Sequence, residues 1–296
     1  MSKSDPNNSD ENLEQVLFDG LNEHGFLFQE KCAEVLKRTD RTKWVVHTTE
    51  YPVSIKDRNS RVDIILRDES STSYEIYAII ECKRVNPARG YWLFGKPLLP
   101  RFSKPLLINL RAEQPKPSNI LMPCAHYAQL KLPFDGVATY LIDNWWLEIG
   151  KRGNKIHASP NPIEDAFIQV CIGVSGVAQE LALQVEKEPQ KFSALFIPVV
   201  ITTAPLYVAM YDLKDVDLTS GSINRDKIYF GPRGEKPEKI EWLLVDYGAS
   251  RSISPERLDE HIEGISPVEL EEYHKRSIFV VNSEHIVNFF ARLHVV

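Results

Sequence analysis

Three polar residues interrupt apolar runs in a way that points to chemistry. Asp63 is the single carboxylate inside Val62-Asp-Ile-Ile-Leu66, and Glu81 and Lys83 end the run Ile79-Ile80-Glu81-Cys82-Lys83. Charges at such places are costly to desolvate, so they need partners or a task. Strand alternation sends Glu81 and Lys83 to one side of a sheet and Cys82 to the other. A short hairpin would set Asp63, on the neighbouring antiparallel strand, near Glu81. Two carboxylates held close repel each other, and a hard divalent cation relieves that repulsion while leaving positions open for water and phosphate oxygens. The backbone carbonyl of Cys82 could complete the shell. That makes Asp63, Glu81 and Cys82 the candidate metal donors and Mg2+ or Mn2+ the expected ion. The Lys83 ammonium could orient or help deprotonate an attacking water, or offset charge on a phosphorane-like transition state. These are the parts needed to hydrolyse a phosphodiester. The structural alternative is an edge-strand ion pair in which Asp63 or Glu81 bridges Lys83 or Arg84.

The surrounding elements must position these groups. Apolar residues recur at helical spacing over 13–38, first Leu13, Val16, Leu17 and Leu21, then, past a break at Gly25, Phe28, Cys32, Val35 and Leu36. This pattern predicts one or two amphipathic helices behind a disordered polar tail, residues 1–12. The β-branched and aromatic run from Trp44 to Ile55 reads as a strand, 57–60 as a turn, 62–66 as a second strand and 74–83 as a third. A helix followed by three closely spaced strands opens an α/β or α+β domain. Residues 84–160, with prolines at positions from Pro87 to Pro133, are expected to be a basic, irregular insertion holding one strand at 136–146. A helix is expected over 162–183, where Pro162 is followed by Glu164 and Asp165 in the first turn. Beyond it come a β-prone run at 193–211, strands at 240–245 and 277–281, and a closing helix capped by Asn282 or Ser283. No composition break marks a linker, so 13–296 is expected to fold as one domain.

Asp63, followed after seventeen residues by Glu81-Cys82-Lys83 and preceded by an amphipathic helix, resembles the PD-(D/E)xK nuclease superfamily. Val62 stands where the motif's name has proline. The strings GFLFQE at 25–30 and ECKR at 81–84 look like those of bacterial Mrr-like members. The resemblance implies a restriction endonuclease-like α/β core, a mixed β-sheet flanked by helices, with the insertion placed after the third core strand. The helix at 162–183 and the strand at 193–201 would supply its second helix and fourth strand. It also implies an acidic or amide residue from the first helix, where Gln29 or Glu30 fits with Glu34 one turn on. The implied activity is that of a Mg2+- or Mn2+-dependent endonuclease acting on DNA, with Asp63, Glu81 and Lys83 catalytic and a role in restriction or phage defence. A homodimer or a partner protein of a defence complex is implied as well; the apolar C-terminal helix with Phe289, Phe290 and Leu293 is a candidate interface, with core packing the favoured fate for it. The competing class is a catalytically silent nuclease-like subunit that binds nucleic acid or a partner protein.

From Lys83 to Arg111 the chain carries seven basic residues and no Asp or Glu, against a formal net charge of −6 overall. Arg84, Arg89, Lys96, Arg101, Lys104 and Arg111 alternate with aromatics that include Trp92, a mixture suited to phosphates and stacked bases. This stretch is the expected nucleic-acid wall, and Lys151, Arg152 and Lys155 are a candidate second contact. The alternative is a solvent-facing loop with core-packed aromatics. Other chemistries find no footing. Four cysteines form no CxxC, the eight histidines form no HExxH, and no GxGxxG or GxxxxGK[ST] loop is present. Gly173-Val-Ser-Gly-Val177 lacks the last glycine of a nucleophile elbow. The first dozen residues lack the apolar centre of a secretory signal, and the longest apolar runs are broken by proline, so a cytoplasmic protein outside the membrane is expected.

Overall fold

The computed structural model describes residues 7–23, 25–70, 75–85, 90–97, 107–113, 118–124, 130–131, 141–142, 145–152, 154–187, 192–231, 236–248 and 275–295. The chain opens with α1 (Asn7–Glu23) and α2 (Phe26–Arg38), separated by Gly25 at φ 72, a left-handed turn that glycine enters without a Cβ clash. Helix α1 begins at Asn7 rather than Leu13, so 7–12 are helical and not part of a tail. Strands β1 (Trp44–Ile55), β2 (Arg58–Asp68) and β3 (Glu75–Lys83) follow as expected. The first pair turns at Lys56, which takes φ 50.

Residues 84–160 depart from the expected irregular insertion. They supply β4 (Tyr91–Pro97), β5 (Leu107–Glu113), β6 (Ser118–Cys124), β7 (Leu130–Lys131), β8 (Leu141–Ile142), β9 (Trp145–Arg152) and β10 (Lys155–Ser159). Two of the prolines fall where a strand tolerates a missing N–H. Pro97 ends β4, and Pro123 lies on β6, which pairs with β5 alone among the described strands. The long helix α3 (Asn161–Lys187) comes next, then β11 (Phe192–Thr202), β12 (Leu206–Tyr211), β13 (Ile228–Phe230), β14 (Trp242–Gly248), β15 (Lys275–Asn282), α4 (Ile286–Arg292) and β16 (His294–Val295).

The larger sheet runs β1-β2-β3-β11-β15-β14-β8, with β5 and β6 branching from β11. Its left half is an antiparallel meander, while β11 lies parallel to both β3 and β15. Strands β3, β11 and β15 are buried on both faces, which is why they read as unbroken apolar runs rather than alternating ones. One face is covered by α2 and α4, packed on Trp44, Ile64, Ile80 and Phe279. The other face packs α3 and the smaller sheet, β10-β9-β4-β12-β13, around Phe167, Ile79, Val200 and Phe94.

Helix α3 sits unusually close to the sheet. A Cβ added at Gly173 would lie 2.9 Å from Val62 Cγ2, and one at Gly176 would lie 2.6 Å from Val53 Cβ. The Gly-x-x-Gly spacing, three residues apart on one helical face, therefore serves packing. By length and composition α3 could cross a membrane, yet 61% of its apolar window is buried inside the protein. Asn282 caps the 3-10 turn Ser283–His285 that leads into α4, accepting from the Glu284 N–H at 3.0 Å, while α4 itself starts after His285 with no side-chain cap. Phe289, Phe290 and Leu293 are fully buried, so of the two fates open to the closing helix α4 takes core packing and not an interface.

Candidate active site

The pairing of β2 with β3 runs from Arg67 opposite Tyr77 to Ile64 opposite Ile80 and then stops. At the next residue, Asp63, the side chain takes over from the backbone ladder: its Oδ2 accepts the Cys82 N–H at 2.6 Å. The carboxylate thereby satisfies a donor that the parting strand would otherwise leave exposed, and its position is tied to the strand bearing Glu81 and Lys83. Glu81, 7% exposed, meets the Lys83 ammonium at 2.9 Å, as expected for residues two apart on one face. The Cys82 thiol lies on the opposite face, packed with the core around Cys32, where hydrogen bonding to Cys32 and burial push it well above its ordinary pKa.

Asp63, Glu81 and Lys83 line a single open cleft of about 500 Å³, together with Gln29, Glu50, Arg61 and Gln169. Burial is the main cause that pushes Asp63 up to about 6, opposed by the Cys82 N–H and by Lys83. Glu81 is pushed up to about 7, chiefly by burial and then by the neighbouring Asp63 charge, with Lys83 opposing. The pair thus carries the mutual repulsion that their spacing suggested.

Gln29, on α2, is 8% exposed and enters the cleft. Its amide donates to Glu50 Oε1 and, at 3.2 Å, to the backbone carbonyl of Asp63. Glu30 does not share this place. A rotation of about 100° per residue turns it onto the neighbouring groove beside Glu34, Lys37 and Arg38, so of the two helix candidates only Gln29 reaches the carboxylates. Glu34 is engaged by Lys31 at 2.7 Å and Arg38 at 2.8 Å.

Of the cleft residues, Gln169 and Arg61 were not singled out from the sequence, while Glu50, at the end of the first strand, reads there as able to approach the metal with an ordinary surface pair favoured. Gln169 descends from α3 and accepts a hydrogen bond from the Lys83 ammonium. Its signal was its being the lone polar residue in Phe167-Ile-Gln-Val-Cys-Ile172. Glu50 combines the two: it pairs with Arg61 at 3.6 Å on the surface and also lines the cleft, opposite the break in the β2 ladder with φ 53 and held by Gln29. A non-glycine residue held in that region is strained and is commonest at functional sites.

The expected nucleic-acid wall is placed only in part. Trp92 is fully buried in β4, its indole N–H donating to Glu148 at 3.0 Å, which corrects its assignment as a base-stacking residue. Alternation along the strand sends it inward while Tyr91 stays exposed. Lys96 is half-buried on the same strand. Arg84 is exposed beside the cleft, and its guanidinium donates to the Asn22 carbonyl of α1. Arg89, Arg101 and Lys104 lie outside the described residues; Arg111 lies on β5, in register with Ser193 of β11.

Among the described residues no group of three or more His, Cys, Asp or Glu side chains is gathered as a metal cluster. The cleft offers the carboxylates of Asp63 and Glu81, with Glu50 held at its side by Gln29, and backbone oxygen instead, a set that suits an oxygen-seeking ion which keeps several waters. Compared with protein-family models, curated proteins and solved structures, the chain matches none of them.

Proposed function

We propose that the protein is a Mg2+- or Mn2+-dependent nuclease that hydrolyses DNA phosphodiester bonds on a restriction endonuclease-like core. The observation that carries this reading is the meeting of Asp63, Glu81 and Lys83 in one open cleft, from strands that part just there. The element order α2, β1, β2, β3, α3, β11, with β11 parallel to β3, agrees with the core that the resemblance implies. Raised carboxylate pKa values support a cation site, since two buried acids facing each other and one ammonium leave negative charge to be compensated.

The residues that would hold the ion are Asp63 and Glu81 through their carboxylates and Cys82 through its carbonyl. When bound, the ion supplies Lewis-acid stabilisation of a phosphoryl oxygen and makes water acidic enough to attack at neutral pH. The chain's own groups do the rest. Gln169 fixes the Lys83 ammonium, which donates to the reacting phosphate and offsets the charge that grows on it. Gln29 holds the Asp63 backbone against Glu50, so that the carboxylate keeps its direction when Lys83 turns towards substrate. Arg61 on the cleft wall attracts the phosphate backbone.

The test is incubation of the purified protein with supercoiled plasmid, linear duplex and single strands, with and without Mg2+ or Mn2+. Cleavage that needs the cation and disappears in both Asp63→Ala and Lys83→Ala, with their circular dichroism unchanged, is the expected result. Full cation-dependent activity in both variants would reject the assignment. A wild-type protein that binds DNA but cuts none of these substrates would favour the silent binding subunit.

A further inference from the structure

The hairpin formed by β9 and β10 has properties that core packing does not account for. Its strands pair Arg152 with Lys155, Lys151 with Ile156 and Gly150 with His157. The segment 150–159 contains three basic residues and no Asp or Glu. Strand β10 is the outer strand of the smaller sheet, and the consecutive residues Lys155, Ile156, His157 and Ala158 are all exposed. A strand packed on one face would bury every second residue, so β10 has both faces in solvent, while β9 stays half-buried through Gly150 and only the tip of the hairpin, past the end of the β4 pairing, projects from the sheet. Near its tip Ile156 is 75% exposed, a bare aliphatic side chain across from Lys151.

A two-stranded ribbon has the width that a duplex groove admits, basic residues on its rim meet the flanking phosphates, and an apolar side chain at its end can wedge between base steps. We infer that the β9–β10 hairpin is a DNA-binding arm that enters a groove of duplex DNA, with Lys151 and Lys155 contacting phosphates and Ile156 the base step. The arm joins α3 directly: the Asn161 N–H donates to Ser159 Oγ at 3.3 Å, and α3 carries Gln169 to Lys83. At about 3.4 Å per strand residue and 1.5 Å per helical residue, the path from Ile156 to Gln169 is at most roughly 30 Å, under one turn of B-form duplex at about 34 Å. A duplex whose scissile phosphate lies at Lys83 therefore passes within reach of the arm. The inference rests on the nuclease reading for where the duplex lies, and it narrows the substrate to double-stranded DNA.

The test reads binding in EDTA, where no cleavage occurs, so that it can fail independently of the nuclease reading. Fluorescence anisotropy of a labelled duplex would be measured over a series of KCl concentrations for the full chain, for Lys151→Gln with Lys155→Gln, and for Ile156→Ser. All three sites are exposed, and melting curves confirm that each variant folds. The double variant should bind at least about tenfold more weakly, with a salt slope shallower by about two, one for each lost phosphate contact. Ile156→Ser should weaken duplex binding several-fold at an unchanged slope and leave single-strand binding as it was. Unchanged affinity and slope in the double variant would overturn the inference, and the lysines would then only guard an exposed strand edge. An equal loss on single-stranded DNA, or retention of duplex affinity with loss of RNA or anionic-vesicle binding, would overturn it as well. Normal duplex binding by the variants of a protein that does cut DNA would remove the arm and leave the nuclease; lost binding in a protein that cuts nothing would do the reverse.

Discussion

Asp63 and Glu81 bind their protons more tightly folded than unfolded, because burial and each other's charge penalise ionisation. The folded state therefore holds more protons than the unfolded chain between about pH 4, the ordinary carboxylate range, and the raised values of about 6 and about 7. Stability from this pair is full at the acid end of that window and is lost as pH rises through it. Urea denaturation in EDTA from pH 5 to pH 8 should show the fall, and Glu81→Gln should flatten it. A wild-type curve no steeper than that of Glu81→Gln would contradict the account. Gln169 accepts from the Lys83 ammonium, so on the nuclease reading Gln169→Leu should lower kcat by roughly tenfold to a hundredfold with little change in KM, the mark of lost positioning rather than lost binding. The site was legible in the sequence where the signal was local. Charges closing an apolar strand gave Asp63, Glu81 and Lys83, whereas Glu50 and Gln169 reach the cleft through a strained backbone residue and a distant helix that no local pattern reports.

At the scale of elements, the close seating of α3 on β1 and β2 is the feature most exposed to substitution. Gly176→Ala would press a methyl into Val53, and the overpacking should destabilise the fold by about 1–3 kcal/mol despite alanine's better helix propensity, read as a lowered melting temperature. Gly221 has the left-handed φ that alanine resists, so Gly248, exposed at the end of β14 and with nothing near its Cβ position among the described residues, is the control at which the same change should cost far less. Strands β1, β3, β11 and β15 and helix α3 were readable because each carries one unmixed signal, a β-branched run or a long apolar helix between charged ends. The described strands of 84–160 were misread because Pro97 and Pro123 fall at a strand end and on a strand paired on one side among the described strands, and because their pairings reach partners far along the chain. Strand β5 meets β11 and β8 meets β14, contacts that short-range patterning does not encode. Trp92 was misassigned for a related reason: an aromatic among basic residues looks like a stacking surface until strand alternation turns it inward.

The whole molecule is a branched mixed sheet between a two-helix face and a face where α3 and a second sheet pack, with the cleft at the point where its antiparallel and parallel halves meet. The strands carrying Asp63 and Glu81 are anchored in separate pairings on either side of this seam, so the carboxylates are held by the fold rather than by loops. The net charge of −6 opposes approach of a polyanion, which leaves binding to local basic features and makes it steeply salt-dependent. Duplex affinity should fall by at least about tenfold between low and physiological salt. The central claim is that Asp63 and Glu81 converge to hold a cation, and calorimetric titration of Mn2+ into the protein at pH 8 tests it most directly. The account predicts a site in the wild type that is lost in Asp63→Asn and Glu81→Gln; identical heats from all three proteins would contradict it.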